Sequence, residues 1–276
     1  MTRTIRVGAL VVIAALVAVA CSSDDSDDDA TPTSDAATTT TAPEPDVLRV
    51  LVTNDDGVEA EGIDAVVEAL RALEAVEVTV VGPAENQSGT SDNTTAGEVA
   101  TSETTTASGY PAIAVAGFPA DSVVHALDVV LDELPHVVVS GSNEGQNIGP
   151  LVDVSGTVGA ARTAARRGIP ALAVSQALGE PVQFEVSAEL VVEWIEEHRA
   201  ELLARDPEAA VTTITNLNVP SCPTPEVRGV VEVPVATDFD DHDPFTVDCS
   251  STLEDPADDV EAVVSGYAAF SEVDAA

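Results

Sequence analysis

From residue 48 to residue 203, short β-branched apolar runs alternate with stretches whose apolar residues recur at helical spacing, and this alternation narrows the fold more than any other feature. Leu48-Arg49-Val50-Leu51-Val52-Thr53 reads as a buried parallel strand that enters the turn Asn54-Asp55-Asp56-Gly57. Ile63, Val66, Val67, Leu70 and Leu73 then mark a helix over 62–73, and residues 76–81 form a second strand closed by Gly82-Pro83. Strand, helix and strand make a βαβ unit with a right-handed crossover. The pattern repeats: strands at 112–115, 137–140 and 171–174, and helices at 119–131, 157–167 and 186–203. Pro119 and Asp121 suit a helix start, and Gly168 suits a helix end. The fold class is therefore α/β, a doubly wound and mostly parallel sheet. Residues 85–109 are polar and irregular, which inside such a domain marks a functional or mobile segment. Beyond residue 203, strands are expected at 211–219 and 227–235. They are followed by an acidic, turn-rich stretch at 238–259 and a short apolar closing element at 260–273, a smaller irregular C-terminal extension.

The N-terminus carries a different signal. Arg3 and Arg6 precede an apolar run over 7–20, which is the pattern of a signal peptide. The run ends in Ala18-Val19-Ala20-Cys21, which looks like a lipobox, with Cys21 as the lipidation site. An ordinary secretory signal or an uncleaved anchor are the alternatives, although the run is shorter than the roughly 20 residues of a spanning helix. Residues 21–46 are rich in Asp, Ser, Thr, Ala and Pro and lack apolar periodicity, so they form a disordered tether. That leaves residues 47–276 as one domain, placed outside the cytoplasm and anchored to a bacterial membrane through Cys21.

Charge and cysteine content constrain the chemistry. The chain has 49 acidic residues against 10 basic ones, a net charge of −39, and every basic residue is Arg. Loss of Arg3 and Arg6 with the signal leaves 49 acids against 8 bases, or −41. A nucleic-acid-binding surface is excluded because no basic stripe exists to meet a phosphate backbone. An anionic substrate needs a local positive charge, such as a bound cation. With Cys21 assigned to lipid, Cys222 and Cys249 remain, and outside the cytoplasm they are expected to pair as a disulfide. No cysteine or histidine spacing points to zinc.

Three polar turns directly follow three apolar strands: Asn54-Asp55-Asp56-Gly57, Asn86-Gln87-Ser88-Gly89 and Ser140-Gly141-Ser142-Asn143. Loops at the C-terminal ends of parallel strands gather on one sheet edge, where ligands bind. Their carboxylates, hydroxyl and amide oxygens form an oxygen-rich set suited to Mg²⁺ or Mn²⁺. Taken alone, Asp55-Asp56 reads equally as a solvated charge pair, since adjacent acids are common in this chain.

The same turns carry a resemblance. Val52-Thr53-Asn54-Asp55-Asp56-Gly57 followed by Gly62-Ile63 looks like the opening of the SurE family of phosphatases, and Asn86-Gln87-Ser88-Gly89 matches its second motif. Gly117-Phe118-Pro119-Ala120-Asp121 is similar to the family's Gly-Thr-Pro-Ala-Asp segment. The run from Ser140 to Gly149 matches the Asn/Gly loop, and Ser155-Gly156-Thr157-Val158-Gly159-Ala160-Ala161 matches the motif after it. The match spans residues 48–235 in family order. It implies a Rossmann-like, SurE-type fold and a 5′/3′-nucleotidase that hydrolyses nucleoside monophosphates or other small phosphomonoesters. The implied metal site is one divalent cation, Mg²⁺ or Mn²⁺, on Asp55, Asp56, Ser88 and Asn143, with Asp55 and Asp56 catalytic. Asn54, Gly89, Asn147, Ser155, Gly156 and Thr157 are the implied substrate contacts, and a homodimer is an assembly the resemblance allows.

The turn at Ser155 opens a helix, so its N–H groups suit a phosphate, and they equally suit an ordinary Ser N-cap. Arg162 and Arg166 lie one turn apart on that helix, as phosphate aids or as solvated charges. Asp259-Val260-Glu261-Ala262 with Gly266-Tyr267 resembles a C-terminal family stretch, but no histidine follows where some members carry one. His242 is an alternative proton donor. A broad acid phosphatase or exopolyphosphatase, and a catalytically weak phospho-ligand-binding lipoprotein, are the competing readings.

Overall fold

The computed structural model describes residues 46–222, 224 and 226–276. The signal peptide, Cys21 and the tether apart from Asp46 lie outside them. In chain order the elements are β1 (Leu48–Thr53), α1 (Glu61–Arg71), β2 (Val76–Pro83), β3 (Thr101–Thr105), β4 (Pro111–Val115), α2 (Pro119–His125), β5 (Val137–Glu144), α3 (Gly156–Arg166), β6 (Ala171–Gln176), α4 (Phe184–Ala204), β7 (Thr213–Val219), β8 (Val230–Glu232), α5 (Asp259–Val264) and β9 (Ala268–Asp274). The strands form one sheet in the order β3-β4-β2-β1-β5-β6-β7-β9-β8. β1 runs parallel to both β2 and β5. From β1 the chain first builds outward through β2 and β4, then returns and builds the other way through β5, β6 and β7. The crevice of a doubly wound sheet therefore opens at the C-terminal end of β1, between the turns that follow β2 and β5.

Both faces of the sheet are covered, which explains why its strands are near-continuous apolar runs. Alternation along β1 sends Leu48, Val50 and Val52 to one face, where Ile63, Val66, Val67 and Leu70 of α1 meet Val191 and Ile195 of α4. Leu51 points to the other face, against Val123 on α2 and Val158, Ala160, Ala161 and Ala164 on α3. Each fully buried Val or Leu stabilises the fold by roughly 1.5–3 kcal/mol. The small residues of α3 serve a second purpose. A Cβ on Gly159 would lie 2.1 Å from the carbonyl oxygen of Ser91, so the polar loop after β2 can rest directly on the helix.

The structure differs from the sequence expectation in several places. β3 lies inside the segment expected to be irregular; its Thr-Ser-Glu-Thr-Thr sequence has no apolar alternation because it is an exposed antiparallel edge beside β4. The helix expected over 119–131 is α-helical only to His125, after which Ala126–Val130 forms a π-helical turn. The strand expected over 227–235 is reduced to Val230–Glu232. The closing element contains α5 and then β9, which pairs antiparallel with β7 and parallel with β8.

Cys222, just past β7, is joined to Cys249 in the acidic loop, with Cα atoms 5.8 Å apart. The bond closes a loop of 27 residues' separation, for which the chain-entropy relation gives about 3–4 kcal/mol. Replacing both cysteines by Ser is expected to lower unfolding stability by about 2–4 kcal/mol in urea titrations. An unchanged midpoint would show that the bond contributes nothing to holding this loop.

Candidate active site

The turn after β1 is built around its own side chains. Asn54 is fully buried, and its Nδ2 donates to the Gly57 carbonyl at 2.7 Å, closing the turn, while Gly57 takes a φ of 109° that a side chain would resist. The backbone of the next turn locks onto it: Gln87 N–H donates to the Asp55 carbonyl at 2.7 Å, and Val58 N–H donates to the Pro83 carbonyl at 2.8 Å. The two aspartates that follow Asn54 are consequently fixed in position by main-chain bonds.

Asp55 is 2% exposed. Its Oδ1 accepts from Thr157 Oγ1 at 2.6 Å, and the backbone N–H groups of Gly156 and Thr157 also address its carboxyl. Gly156 has to be glycine here, because a Cβ would come within 2.8 Å of the Asp55 side chain. Burial pushes the Asp55 carboxyl above the usual range, and the bonds from α3 only partly offset it. Asp56 is less enclosed. Its Oδ1 accepts from Asn86 Nδ2 at 3.0 Å and its Oδ2 from Glu144 N–H at 2.8 Å. Burial, with the negative charges of Asp55 and Glu144 nearby, raises its pKa to about 6.

The same bonds gather the other oxygen donors. Asn86 Oδ1 accepts from Ser88 N–H at 3.0 Å while its amide holds Asp56, so Ser88 is carried to the pair by its neighbour. Asn143 is 7% exposed and immediately precedes Glu144, whose N–H grips Asp56. Its position depends on an irregularity in β5 between Ser140 and Asn143, made possible by Gly141, where a Cβ would strike the Val174 carbonyl at 2.2 Å. One buried and one partly buried carboxylate, both of raised pKa, with the Ser88 hydroxyl and the Asn143 amide on the adjoining turns, make an oxygen-rich set that fits a hard divalent cation. Among the described residues, no group of three or more His, Cys, Asp or Glu gathers into a metal cluster.

The residues that make this geometry match the family model described as "Survival protein SurE" over residues 50–239. The chain belongs to the SurE family. It is 39% identical over 182 residues to the 5′-nucleotidase SurE of Methylococcus capsulatus, covering 66% of this chain and 68% of that one. It is 40% identical over 183 residues to the 5′/3′-nucleotidase SurE of Cronobacter sakazakii, covering 66% and 68%. The crystal structure of the SurE protein from Aquifex aeolicus superposes with a TM-score of 0.67 at 29% identity, covering 83% of this chain and 94% of that one.

In this SurE chain, several residues expected to meet substrate are occupied within the fold. Ser155 caps α3, its side chain accepting from Val158 N–H at 3.1 Å. Gly156 and Thr157 face Asp55, as described. Gly89 lies on an exposed turn with open space where a side chain would project. Asn147 is nearly buried and donates to Ser175 Oγ at 2.8 Å and to Thr157 Oγ1 at 3.5 Å. Arg162 pairs with Asp153 at 3.3 Å and Arg166 with Asp92 at 2.9 Å. His242 stands 3.9 Å from Glu261.

The sequence reading missed the support beneath Asn147. Asn218 Oδ1 accepts from Asn147 N–H at 2.7 Å, and the Asn147 carbonyl accepts from Asn216 at 2.9 Å and Asn218 at 3.1 Å. Asn216 and Asn218 lie two apart on one face of β7 and are fully buried, but nothing local in the sequence marks them as more than polar residues on a strand. Gln146 is held on the other side by the Pro244 carbonyl of the acidic loop.

The carboxyl shifts have a consequence for stability. An aspartate whose folded pKa lies above its unfolded value opposes folding once it ionises, so its penalty is present above about pH 6 and fades as pH falls toward 4. Metal-free Asp56→Asn is therefore expected to be more stable than the parent at pH 7.5, by on the order of 1–3 kcal/mol, with the gap closing near pH 4. Urea unfolding in chelator across this range measures it; a gap independent of pH would count against the assignment to Asp56.

Proposed function

We propose that this protein is a divalent-cation-dependent phosphomonoesterase that hydrolyses nucleoside 5′- or 3′-monophosphates to nucleoside and phosphate. The observation that carries the reading is the adjacent carboxylate pair at the sheet edge, Asp55 buried and Asp56 partly buried, whose ionised forms are disfavoured without a neighbouring positive charge. The names of the SurE relatives support the nucleotidase chemistry. Asp55, Asp56, Ser88 and Asn143 would hold Mg²⁺ or Mn²⁺, which when bound neutralises charge on phosphoryl oxygens and makes a nearby water more acidic. The side chains do the rest. Thr157 fixes one Asp55 oxygen, leaving the carboxylate a defined orientation. Asn86 sets Asp56 and Ser88 relative to one another through its two side-chain ends. One of the two aspartates would orient or deprotonate the attacking water.

Electrostatics favour monophosphates over polyphosphate. The arginines nearest in sequence to the site, Arg162 and Arg166, are engaged by Asp153 and Asp92, and Glu144 stands beside Asp56. Each further phosphate adds negative charge that must approach a chain of −39. The proposed location is extracytoplasmic, with lipid on Cys21; the signal-like run over residues 7–20 and the Asp- and Ser-rich sequence after it support this. Among the described residues no helix is long and apolar enough to cross a membrane.

Purified protein supplied with Mn²⁺ or Mg²⁺ is expected to release phosphate from AMP and 3′-AMP, and Asp55→Asn to lower kcat/KM by about 100-fold or more. Tripolyphosphate should be the poorer substrate, and its handicap should shrink as salt rises. Activity equal in Asp55→Asn and parent would sink the enzyme reading, whereas metal-dependent AMP binding without turnover would favour a phospho-ligand-binding lipoprotein. Separately, Cys21→Ser is expected to shift the protein from the detergent phase to the aqueous phase in bacterial membrane extraction, and retention in the detergent phase would remove the lipid anchor.

A further inference from the structure

Beside the carboxylate pair, between the C-terminal ends of β2 and β4, the surface opens into a cleft of about 510 Å³. Its walls include Ala84, Glu85, Gln87, Thr95, Val115 and Phe118. The volume falls within the roughly 300–1,000 Å³ of small-molecule sites. Asp55 and Asp56 do not line it; a single turn stands between. That turn belongs to both places, since Gln87 on the cleft wall bonds the Asp55 backbone at 2.7 Å and its neighbour Asn86 holds Asp56 at 3.0 Å. β1 and β2 are adjacent parallel strands, so the cleft and the carboxylates open on the same sheet edge, about one to two strand spacings (~5–10 Å) apart.

The composition of the cleft indicates what fits there. Ala84 and Phe118 supply apolar surface, and Glu85, Gln87 and Thr95 bring hydrogen-bonding groups to the same walls. No arginine is among its lining residues, so it suits an uncharged ring better than a second phosphate. Phe118 is one of only eight aromatic residues in the chain (5 Phe, 2 Tyr, 1 Trp), and it is left partly exposed here. In the family segment it resembles, Thr occupies this place. The walls are also fixed in advance. Phe118 N–H and Thr95 Oγ1 both donate to Asp121 Oδ2, at 2.9 and 2.7 Å, and Ala84 N–H donates to the Val115 carbonyl at 2.8 Å. A wall whose backbone is pinned beforehand costs less ordering entropy when a flat ligand stacks on it.

We propose that this cleft receives the base of a nucleoside monophosphate whose phosphate is held at Asp55 and Asp56, with Phe118 stacking on the ring. The proposal rests on the phosphomonoesterase reading above and deepens it: Phe118 becomes a specificity-determining residue that separates nucleotides from other phosphomonoesters. The sugar crosses the exposed turn at Ser88 and Gly89, where the absence of a side chain at Gly89 leaves room.

The test compares AMP with ribose 5-phosphate, the same ester without its base, on the full protein with Mn²⁺. The parent is expected to favour AMP in kcat/KM by roughly 5- to 150-fold, the factor that aromatic–base stacking carries. Phe118→Ala should bring AMP close to ribose 5-phosphate through a raised KM, leave ribose 5-phosphate within about twofold, and be rescued by Phe118→Tyr. Adenosine should inhibit the parent competitively and Phe118→Ala much less, while ribose inhibits neither. Equal rates on the two esters in the parent would overturn the cleft while leaving phosphatase activity intact, as would a Phe118→Ala loss shared equally by both. Should Phe118→Ala fail to fold, the parent's ester preference and its inhibition by adenosine decide, and absence of either overturns the proposal. No metal-dependent release from any ester would instead remove the reading beneath it.

Discussion

Asp55 is a carboxylate placed at the junction of β1 and α3, residues 102 apart in sequence, and the geometry of the whole edge follows from keeping it there. Burying a carboxylate costs several kcal/mol. Against that cost stand one hydroxyl bond to a charged group, worth about 1.5–3 kcal/mol, and the start of a helix, worth up to about 2 kcal/mol. The balance is incomplete, and the raised pKa of the group expresses it. Meeting even part of the cost requires α3 to come down onto the end of β1. That approach in turn requires Gly156 against Asp55 and Gly159 against Ser91, so the small residues of the helix are set by the charge they accommodate. A bound cation, in the reading proposed here, completes what the helix begins.

Thr157 can serve this role only if it is itself held, and its support comes from the far half of the sheet. The Asn216 and Asn218 side chains grip both ends of the Asn147 peptide, and Asn147 reaches Thr157 and Ser175. Buried asparagines on a strand are destabilising unless every polar atom has a partner, and most of theirs are satisfied by one loop. The loop therefore has little freedom to move relative to β7. Because Asn143, near the end of β5, lies four residues before Asn147, the same clamp steadies a proposed metal donor. The acidic C-terminal segment closes it from outside through Pro244 and Gln146, and the Cys222–Cys249 bond ties that segment back to the end of β7.

The parts legible in the sequence were those written as local repetition. β1, α1 and β2 announce themselves because both faces of a parallel sheet are covered, which makes strands uniformly apolar and helices one-sided. The turns after them were legible because strand polarity alone sends them to one edge. What escaped was written across the chain instead. β3 pairs as an exposed edge, so its residues need no apolar side. β9 alternates only loosely and is defined by its antiparallel register with β7. The use of Ser155, Gly156 and Thr157 was ambiguous between an N-cap and an anion site; in the fold Ser155 caps the helix and the next two residues turn to a carboxylate of the chain itself. That outcome depends on a partner about 100 residues away. The Asn216/Asn218 clamp is of the same kind, since nothing local distinguishes it from two solvated polar residues on a strand.

The acidity of the chain and a phosphate-directed site are compatible once local and global electrostatics are separated. Exposed charges act over about one Debye length, near 8 Å at physiological salt, so most of the 49 acids set only the approach of a ligand and the solubility of the surface. Inside the crevice the lower dielectric makes a few groups decisive. Those groups are the carboxyls of Asp55 and Asp56, with the exposed Glu144 beside Asp56, while Arg162 and Arg166 are turned to Asp153 and Asp92. The side chains lining this edge thus provide little attraction for an anion, and attraction must come from a cation held by the carboxylates. Affinity for the remainder of a substrate then has to come from uncharged contacts, and the partly exposed Phe118 is the aromatic residue on the adjoining wall. Charge compensation at one side of the 86–88 turn and apolar stacking at the other would divide recognition between phosphate and base, with neither demanding a basic patch.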